Sequence, residues 1–427
     1  MKKLGIRWLL DHIWNAPLLV WVMLGFSITY LFFFIRPIFF SSTNVMQFPN
    51  YIPNIVPIGA DLRGTLNFSS SWLVNKLYTD NKPPLVILLF APLLRIPFTW
   101  AYKIVTLVTV VCYGIVAFVL PLKIAKGRRI SPILLLIFTT GLFSYGFQFE
   151  LERGQFNVIA IFLCFLAIWI FHYQNKYRYL AYILFTISVQ LKVYPLIFIV
   201  MLIRDWRDWK NNILRFVLLG AANFAVLFVL GTHAFVDFIK TINGYIVSPY
   251  IWIGNHSILS FATVVADRSN AHGWTWLNNH AGWIQIGLLA VVGICIFLVV
   301  FQTYHQKKGG VNPLLLMACT IAALLIPSIS HDYTLSILAG PVALLFLNDG
   351  FWAGIKSHRL QPLFMVLLFI FSTAYFSTLY SYTNKTPPYI IETNFSALFI
   401  MLLIVTVFSV LSRSNLEEEE PEPVENI

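Results

Sequence analysis

Charged residues are scarce in this chain of 427 residues, because Asp, Glu, Lys and Arg make up only 11% while 58% of the residues are hydrophobic. So few charges cannot cover one large globular core, and this excludes an ordinary soluble domain. Instead, many apolar runs approach the length that crosses a bilayer. The sequence therefore predicts an all-α polytopic membrane protein with about 10–12 transmembrane helices.

Several other features are missing. The chain has only 4 cysteines, all inside apolar runs, which argues against a disulfide framework. No His, Cys, Asp or Glu cluster has a convincing metal-ligand spacing, and no Gly-rich nucleotide loop is present. We therefore expect no metal and no cofactor, and a soluble nucleotide-sugar donor is disfavoured.

Charge is distributed unevenly along the chain. The formal net charge is +11 although the end of the chain is acidic, so residues 413–427 are predicted to be a disordered tail. Basic residues cluster between apolar runs, as they do on the cytoplasmic side of membrane proteins, which is a topological signal and no nucleic-acid footprint. We expect residues 1–412 to form one domain in a bacterial cell membrane, with an uncleaved first span at about 17–40 and both termini in the cytoplasm.

The segment "LKVYP" (191–195) interrupts a single apolar run between basic residues at Arg178 and Arg204. One straight span would place the following basic cluster outside, whereas two half-helices that meet at a break keep both clusters inside. Pro195 supplies the break, because it lacks an amide donor and disfavours helix before it. The sequence thus predicts a half-helix hairpin with Lys192 at its apex, lining a cavity.

Two long segments remain on the outer side, at 41–82 and 232–281, and loops of this length usually carry function. In the first, Trp72, Leu73 and Leu77 are predicted to form the apolar face of a short helix lying on the membrane. The two segments frame the carboxylates that we consider as candidates, which are Asp61, Asp80, Glu150, Glu152, Asp267 and Asp332.

Six motifs follow one another in a characteristic order: "ADLR", "LYTDNKPPLVILLFAPLLRIP", "RGQFNVIAIFL", "LKVYPLIFIVMLIRDWR", "GNHSILS" and "SHDYTLSIL". Their order and spacing resemble glycosyltransferase family 87 of the GT-C superfamily. Members are integral membrane enzymes that use polyprenyl-phosphate sugars, and the described ones are largely alpha-mannosyltransferases. The chain departs at Lys82, where members often carry tyrosine, and at His256, where they often carry glutamine.

The resemblance implies a GT-C-like fold and transfer of a hexose, mannose first, from a polyprenyl-phosphate sugar to a glycolipid or glycan acceptor at the outer face of the bilayer. Such transfer needs a base for the acceptor hydroxyl and cations for the leaving phosphate. Asp61 resembles the family's catalytic aspartate, and Asp80 is the alternative base. A plain alternative is that Asp61 is a solvated turn residue beside Gly59.

Lys192 is the first candidate ligand of the donor phosphate, because a buried ammonium needs an anion. The alternatives are a lysine that snorkels to the interface and one that pairs with Glu150 or Glu152. Further candidates for the phosphate are Arg153 and Arg268. The candidate contacts of sugar or acceptor are Gln155, Asn157, Asn255, His256, Ser257, His331 and Asp332, for which capping, interhelical hydrogen bonds and a structural His–Asp pair are the alternatives.

Other functions remain open at this point. A transporter or flippase of lipid-linked sugars also has many spans, broken helices and intramembrane charges, but this chain lacks a half-to-half repeat. A polymerase or ligase of lipid-linked glycans is a nearer alternative. Transfer of radiolabelled sugar from a polyprenyl-phosphate hexose distinguishes these classes.

Overall fold

The computed structural model describes residues 58–76, 78, 80–125, 132–142, 144–247, 251, 254–271, 273, 275–278, 280–305, 310–357, 360–376 and 394–411. Three predictions lie outside the described residues. They concern the first span at about 17–40, the first part of the outer segment (41–57) and the acidic tail (413–427).

The described residues are almost entirely helical and contain no β-strand. The α-helices are α1 (Ala60–Asn75), α2 (Leu85–Phe90), α3 (Phe98–Ile124, with a π-helical turn at Ile115–Val119), α4 (Pro132–Leu142), α5 (Tyr145–Arg153), α6 (Asn157–Tyr173), α7 (Arg178–Leu191), α8 (Trp209–Val226), α9 (Thr232–Val247), α10 (Ile258–Ala271), α11 (Thr275–Asn278), α12 (Ala281–His305), α13 (Pro313–Leu325), α14 (Ala339–Phe346), α15 (Asp349–Ser357), α16 (Gln361–Phe376) and α17 (Phe395–Leu411). Short 3-10 helices occupy Ala91–Arg95, Asn175–Tyr177, Tyr194–Leu202 and Asp332–Leu338.

Two of the described helices, α3 and α12, are long and apolar enough to cross a membrane, and the bent pair of α4 and α5 adds a third candidate. Further apolar helices are shorter, among them α6, α13 and α17. These features support a membrane protein. The predicted number of 10–12 spans stays a prediction.

The centre of the fold is α13, whose residues from Leu314 to Leu325 are all buried. Its start is well defined, because the Asn312 side chain accepts hydrogen bonds from the amides of Leu314 (2.9 Å) and Leu315 (3.2 Å), and Pro313 occupies the first turn. The helix packs against α12, α17 and the 3-10 helix at Tyr194–Leu202. A helix that is apolar all round is typical of such a surrounded position or of a membrane span.

The chain leaves helical geometry at Lys192, three residues before Pro195. Helix α7 ends at Leu191, Lys192 is extended (φ −148°, ψ 133°), and a 3-10 helix with Pro195 in its first turn follows. The Ser188 hydroxyl on α7 donates a hydrogen bond to the carbonyl of Ala160 on α6 (2.7 Å), which ties these two helices together. The break lies within the predicted segment, and the re-entrant hairpin itself stays a prediction.

The described parts of the two segments that are predicted to lie outside are largely helical. The first contains α1, and the second contains α9, α10 and the short α11. Trp72 is partly buried against a cluster that includes Tyr78 and Phe238, whereas Leu73 is exposed and Leu77 lies outside the described residues. The helix therefore packs on protein through Trp72, because α9 offers it an apolar partner.

One hydrophobic cluster brings the candidate residues together. We call it the site-side cluster; its buried members are Leu62, Leu66, Val86, Phe90, Ala101, Val105, Phe156, Ala160 and Leu191. Asp61, Gln155 and Lys192 are each a direct neighbour, in sequence, of one of these members. Packing of apolar residues from α1, α6 and α7 thus gathers three polar side chains that lie far apart in the sequence.

Candidate functional site

Two left-handed glycines set the backbone around the site. Helix α5 ends at Gly154 (φ +65°), and α1 is preceded by Gly59 (φ +73°), whose amide donates a hydrogen bond to the carbonyl of Glu152 (2.7 Å). A Cβ at Gly154 would lie 2.9 Å from the Cβ of Leu62. Glycine is required there both by the positive φ and by the close approach of α1.

The close approach places Asp61, in the first turn of α1, against the end of α5. Its carboxylate accepts hydrogen bonds from the guanidinium of Arg153 and from the side-chain amide of Gln155. Asp61 and Arg153 keep 21% and 19% of their side chains exposed, so the pair is reachable from outside. Asp61 is therefore neither a freely solvated turn residue nor sealed in the core.

Burial raises the pKa of the Asp61 carboxyl, but the hydrogen bond and charge of Arg153 outweigh it, with help from Gln155 and Lys82, so the pKa lies below its ordinary value. The carboxyl is thus ionised at neutral pH. A carboxylate in this form can accept a proton but not donate one.

Lys192 reaches the same group of residues from the break after α7. Its ammonium donates a hydrogen bond to Oε1 of Gln155 (2.9 Å) and lies 4.8 Å from the centroid of the Phe156 ring. Within the described part of the chain Lys192 forms no ion pair, so the alternative of a pair with Glu150 or Glu152 is not seen. Gln155 consequently connects Lys192 to Asp61 through one amide group.

Asp80, the alternative base, forms an ion pair with its neighbour Lys82. Its carboxylate is 2% exposed and forms an ion pair with the ammonium of Lys82 at 3.1 Å. The backbone amide of Lys82 also donates to Asp80 Oδ1 at 3.3 Å. A buried carboxylate with these two contacts is less available to an acceptor hydroxyl than the partly exposed Asp61.

Glu150 and Asn157 lie deeper, where α5 meets α6. Glu150 is fully buried and accepts hydrogen bonds from the amide of Val158 (2.8 Å) and from the hydroxyl of Ser336. Asn157 is 1% exposed, and both polar atoms of its side chain lack a hydrogen-bond partner among the described residues. Such an amide is rare in a folded protein and points to a ligand or water.

A second polar network joins the motifs "GNHS" and "SHD". An antiparallel bridge pairs Asn255 with His331, and His256 Nδ1 lies 3.0 Å from Oδ1 of Asp332, which also accepts from Asn394 (3.0 Å). The other ring nitrogen of His256 lies 3.0 Å from the hydroxyl of Ser330. The acidic partner of His256 is thus Asp332.

The members of this second network are sealed from solvent. Asn255, His256, Ser257 and Asp332 are at most 1% exposed. Asn255 Oδ1 accepts from the amides of Ser257 (3.2 Å) and Ser330 (3.1 Å). These contacts indicate a structural role, and the predicted contact of these four residues with sugar or acceptor stays a prediction.

His331 lies between the two networks. Burial, together with the charges of His256, Arg153 and Lys192, lowers the pKa of His331 to about 3, although the charge of Asp61 opposes the shift. The imidazole is therefore neutral at physiological pH and can donate or accept a hydrogen bond. Its ring lies 5.3 Å from that of Tyr333.

Arg268, a further candidate for the donor phosphate, lies on a different helix from Arg153. It occupies the last turn of α10, about 15 Å along the helix axis from Ile258. Sequence reasoning did not single out Ser330, Thr334 and Asn394 as partners of the His256–Asp332 pair. The run of hydroxyl residues around "SHD" was a signal for the first two, whereas Asn394 carried none.

The fold and the site together indicate the class of protein to which this chain belongs. The described part of the chain is apolar and helical, with helices long and apolar enough to cross a membrane, and a partly exposed cluster of charged side chains lies at the ends of α1, α5 and α7. The family comparison agrees with this class: the model of glycosyltransferase family 87 matches residues 82–330, more than half of the chain. The protein belongs to glycosyltransferase family 87. No curated protein sequence shows significant similarity to it.

The matched range contains the candidates from Arg153 to Arg268. Four candidates lie outside it, namely Asp61, Asp80, His331 and Asp332. Membership of the family thus supports glycosyl transfer for the chain, while the roles of single residues depend on the geometry described above.

The packing of Gly154 against α1 generates a prediction. Gly154→Ala adds strain in the left-handed backbone and forces the new Cβ against Leu62, each costing about 1 kcal/mol or more. We expect a lower unfolding temperature, and a lower transfer rate because Asp61 moves away from Arg153. Thermal unfolding and sugar transfer measured on the same preparation test this.

Gly64→Ala is the matched control, because it lies in the same helix and a Cβ there would meet nothing within 4 Å. It should leave stability unchanged or raise it by about 0.5–1 kcal/mol. Wild-type stability and transfer in Gly154→Ala would show that this contact does not position Asp61.

Proposed function

We propose that the protein transfers a hexose, mannose first among the candidates, from a polyprenyl-phosphate sugar to a lipid-linked or cell-envelope glycan on the outer face of a bacterial cell membrane. Asp61 is the general base, and Lys192 and Arg153 bind the donor phosphate, with Arg268 as a further candidate. One observation carries the proposal: the side-chain amide of Gln155 links the ammonium of Lys192 to the carboxylate of Asp61, and Lys192 has no carboxylate partner among the described residues.

The charges around Asp61 favour an anionic ligand. Arg153 already neutralises Asp61, so the Lys192 ammonium is left with neutral contacts, Gln155 and the Phe156 ring. A partly buried cation in this position gains more from an anion than it would in water. A phosphate at a lipid headgroup supplies that anion at the depth where the broken helix ends.

Two side chains retain unused hydrogen-bonding capacity. The Nε of Arg153 is buried and has no hydrogen-bond partner among the described residues, which leaves this N–H for a phosphate oxygen. The amide of Asn157 is likewise unused in that part of the chain and suits a sugar hydroxyl. Both features fit a site that is completed by its substrate.

The reaction that follows from these positions is a single displacement of phosphate by a hydroxyl. The acceptor oxygen bonds to the anomeric carbon while its proton passes to the Asp61 carboxylate. The bond between that carbon and the phosphate oxygen breaks, and the leaving polyprenyl phosphate takes the electron pair beside Lys192 and Arg153. The cations stabilise charge that grows on the phosphate as this bond breaks.

The proposal also includes contacts to the sugar or the acceptor. The candidates for these contacts are Gln155, Asn157, His331 and the buried residues Asn255, His256, Ser257 and Asp332. Gln155 contacts the Asp61 carboxylate directly, and the charge of Asp61 acts on His331, which is bridged to Asn255 of the buried network. Family membership favours glycosyl transfer over the transporter or flippase alternative. A glycan polymerase or ligase differs only in the acceptor.

Replacing the base tests the proposal. Asp61→Asn keeps the size of the side chain but removes the proton acceptor, so turnover should fall by about two to four orders of magnitude while the donor still binds. The measurement is transfer of radiolabelled mannose from polyprenyl-phosphate mannose in membranes that contain the protein. Asp237→Asn, which alters an exposed pair with Lys240, is the matched control. Near-normal turnover in Asp61→Asn would move the base to Asp80 or another carboxylate.

Lys192→Met keeps the length of the side chain and deletes its charge. Binding of undecaprenyl phosphate should weaken by about 1.5 to 3 kcal/mol, the loss of one charge-assisted hydrogen bond. Titration of the purified protein in lipid nanodiscs gives the affinity, with Lys103→Met on the exposed side of α3 as the control. Unchanged affinity would reduce Lys192 to a structural residue at a helix break.

A further inference from the structure

Lys82 lies in a turn that is held on both sides. Asp80 accepts hydrogen bonds from its backbone amide (3.3 Å) and from its ammonium (3.1 Å), and the Tyr78 hydroxyl donates to its carbonyl. Pro83 and Pro84 follow and restrict the backbone before α2 begins. The side chain of Lys82 is only 12% exposed.

This turn lies beside Lys192. Helix α2, which starts three residues after Lys82, packs against both α1 and α7. Its residue Val86 belongs to the site-side cluster, as does Leu191, the residue before Lys192. Lys82, like Asp61, is near enough for its charge to act on the Lys192 ammonium.

The neighbouring ammonium groups of Lys82 and Lys192 repel each other, and partial burial strengthens the repulsion. Asp80 neutralises Lys82, but Lys192 has only the neutral Gln155 amide and an aromatic ring as partners in the described residues. The nearby carboxyl of Glu150 is bonded to Ser336 and to the Val158 amide instead. An anion placed between the two lysines relieves this repulsion.

We propose that Lys82 is a third cationic ligand of the donor phosphate, and that its ammonium turns from Asp80 to a phosphate oxygen when the lipid binds. The inference rests on the proposed function and adds a residue to the same site. Asp80 then acts as the resting partner that holds Lys82 in place.

The test is binding of undecaprenyl phosphate to the purified full-length protein in phosphatidylcholine nanodiscs, followed by tryptophan fluorescence and by the unfolding temperature. Lys82→Met should raise the Kd about tenfold, whereas Lys82→Arg keeps the charge and should stay within about threefold of wild type. Lys240→Met, which removes an exposed lysine from a pair with Asp237, should bind like wild type.

Two further ligands identify what the lysines bind. Undecaprenol, which lacks the phosphate, should bind equally to wild type and Lys82→Met. Inorganic phosphate at the same concentration should cause no shift, because it lacks the lipid chain. A shift with inorganic phosphate that is lost in Lys82→Met would contradict the lipid headgroup as the ligand.

Asp80→Asn serves as a second variant in case Lys82→Met is unstable. It removes the partner of Lys82 but keeps the lysine charged, so binding of undecaprenyl phosphate should stay the same or tighten. Weaker binding in Asp80→Asn would show that the Asp80–Lys82 pair has only a structural role. Wild-type affinity in Lys82→Met, with weaker binding in Lys192→Met, overturns the role of Lys82 and leaves the proposed function standing. Equal binding of undecaprenyl phosphate and undecaprenol to wild type would overturn both.

Discussion

The two hydrogen bonds that the Asp61 carboxylate accepts, from Arg153 and Gln155, connect parts of the chain more than 90 residues apart. They form because Gly154 lets α1 approach the end of α5, and because the site-side cluster packs the residues next to them. Without this contact Arg153 would be a half-buried cation with no partner, and Lys192 would lose its amide link to the carboxylate. The chemistry we propose depends on this junction.

The contact of Asp61 with Arg153 and Gln155 gives the charged residues of the site two different roles. Arg153 keeps Asp61 ionised, so the carboxylate is ready to take a proton although it is a weaker base for that reason. Because Arg153 forms an ion pair with Asp61, the two charges largely cancel, and the remaining positive charge is that of Lys192. A lysine at a helix break suits this, because its flexible stem lets the ammonium follow a mobile lipid headgroup.

Sequence reasoning predicted the helical class and the break at "LKVYP", and it named Asp61, Gln155 and Lys192 as separate candidates. It did not predict how their side chains pair. Arg153 and Gln155 were expected to contact phosphate and sugar or acceptor, which stays a prediction, and in the structure they also bond to Asp61, because the turn at Gly154 points the end of α5 toward α1. His331 and Asp332 are sequence neighbours, yet the carboxylate contacts His256, since successive side chains of an extended segment point in opposite directions. Such pairings arise from tertiary packing and leave no local pattern.

The most direct measurement is a structure of the protein in complex with undecaprenyl phosphate, which requires neither the sugar nor the acceptor to be known. Our account predicts a phosphate oxygen at about 2.7–2.9 Å from Nζ of Lys192, with Asp61 still bound to Arg153 and facing the space beside the phosphate. A lipid phosphate bound elsewhere, with Lys192 still bonded to Gln155 and no room beside Asp61, would contradict it.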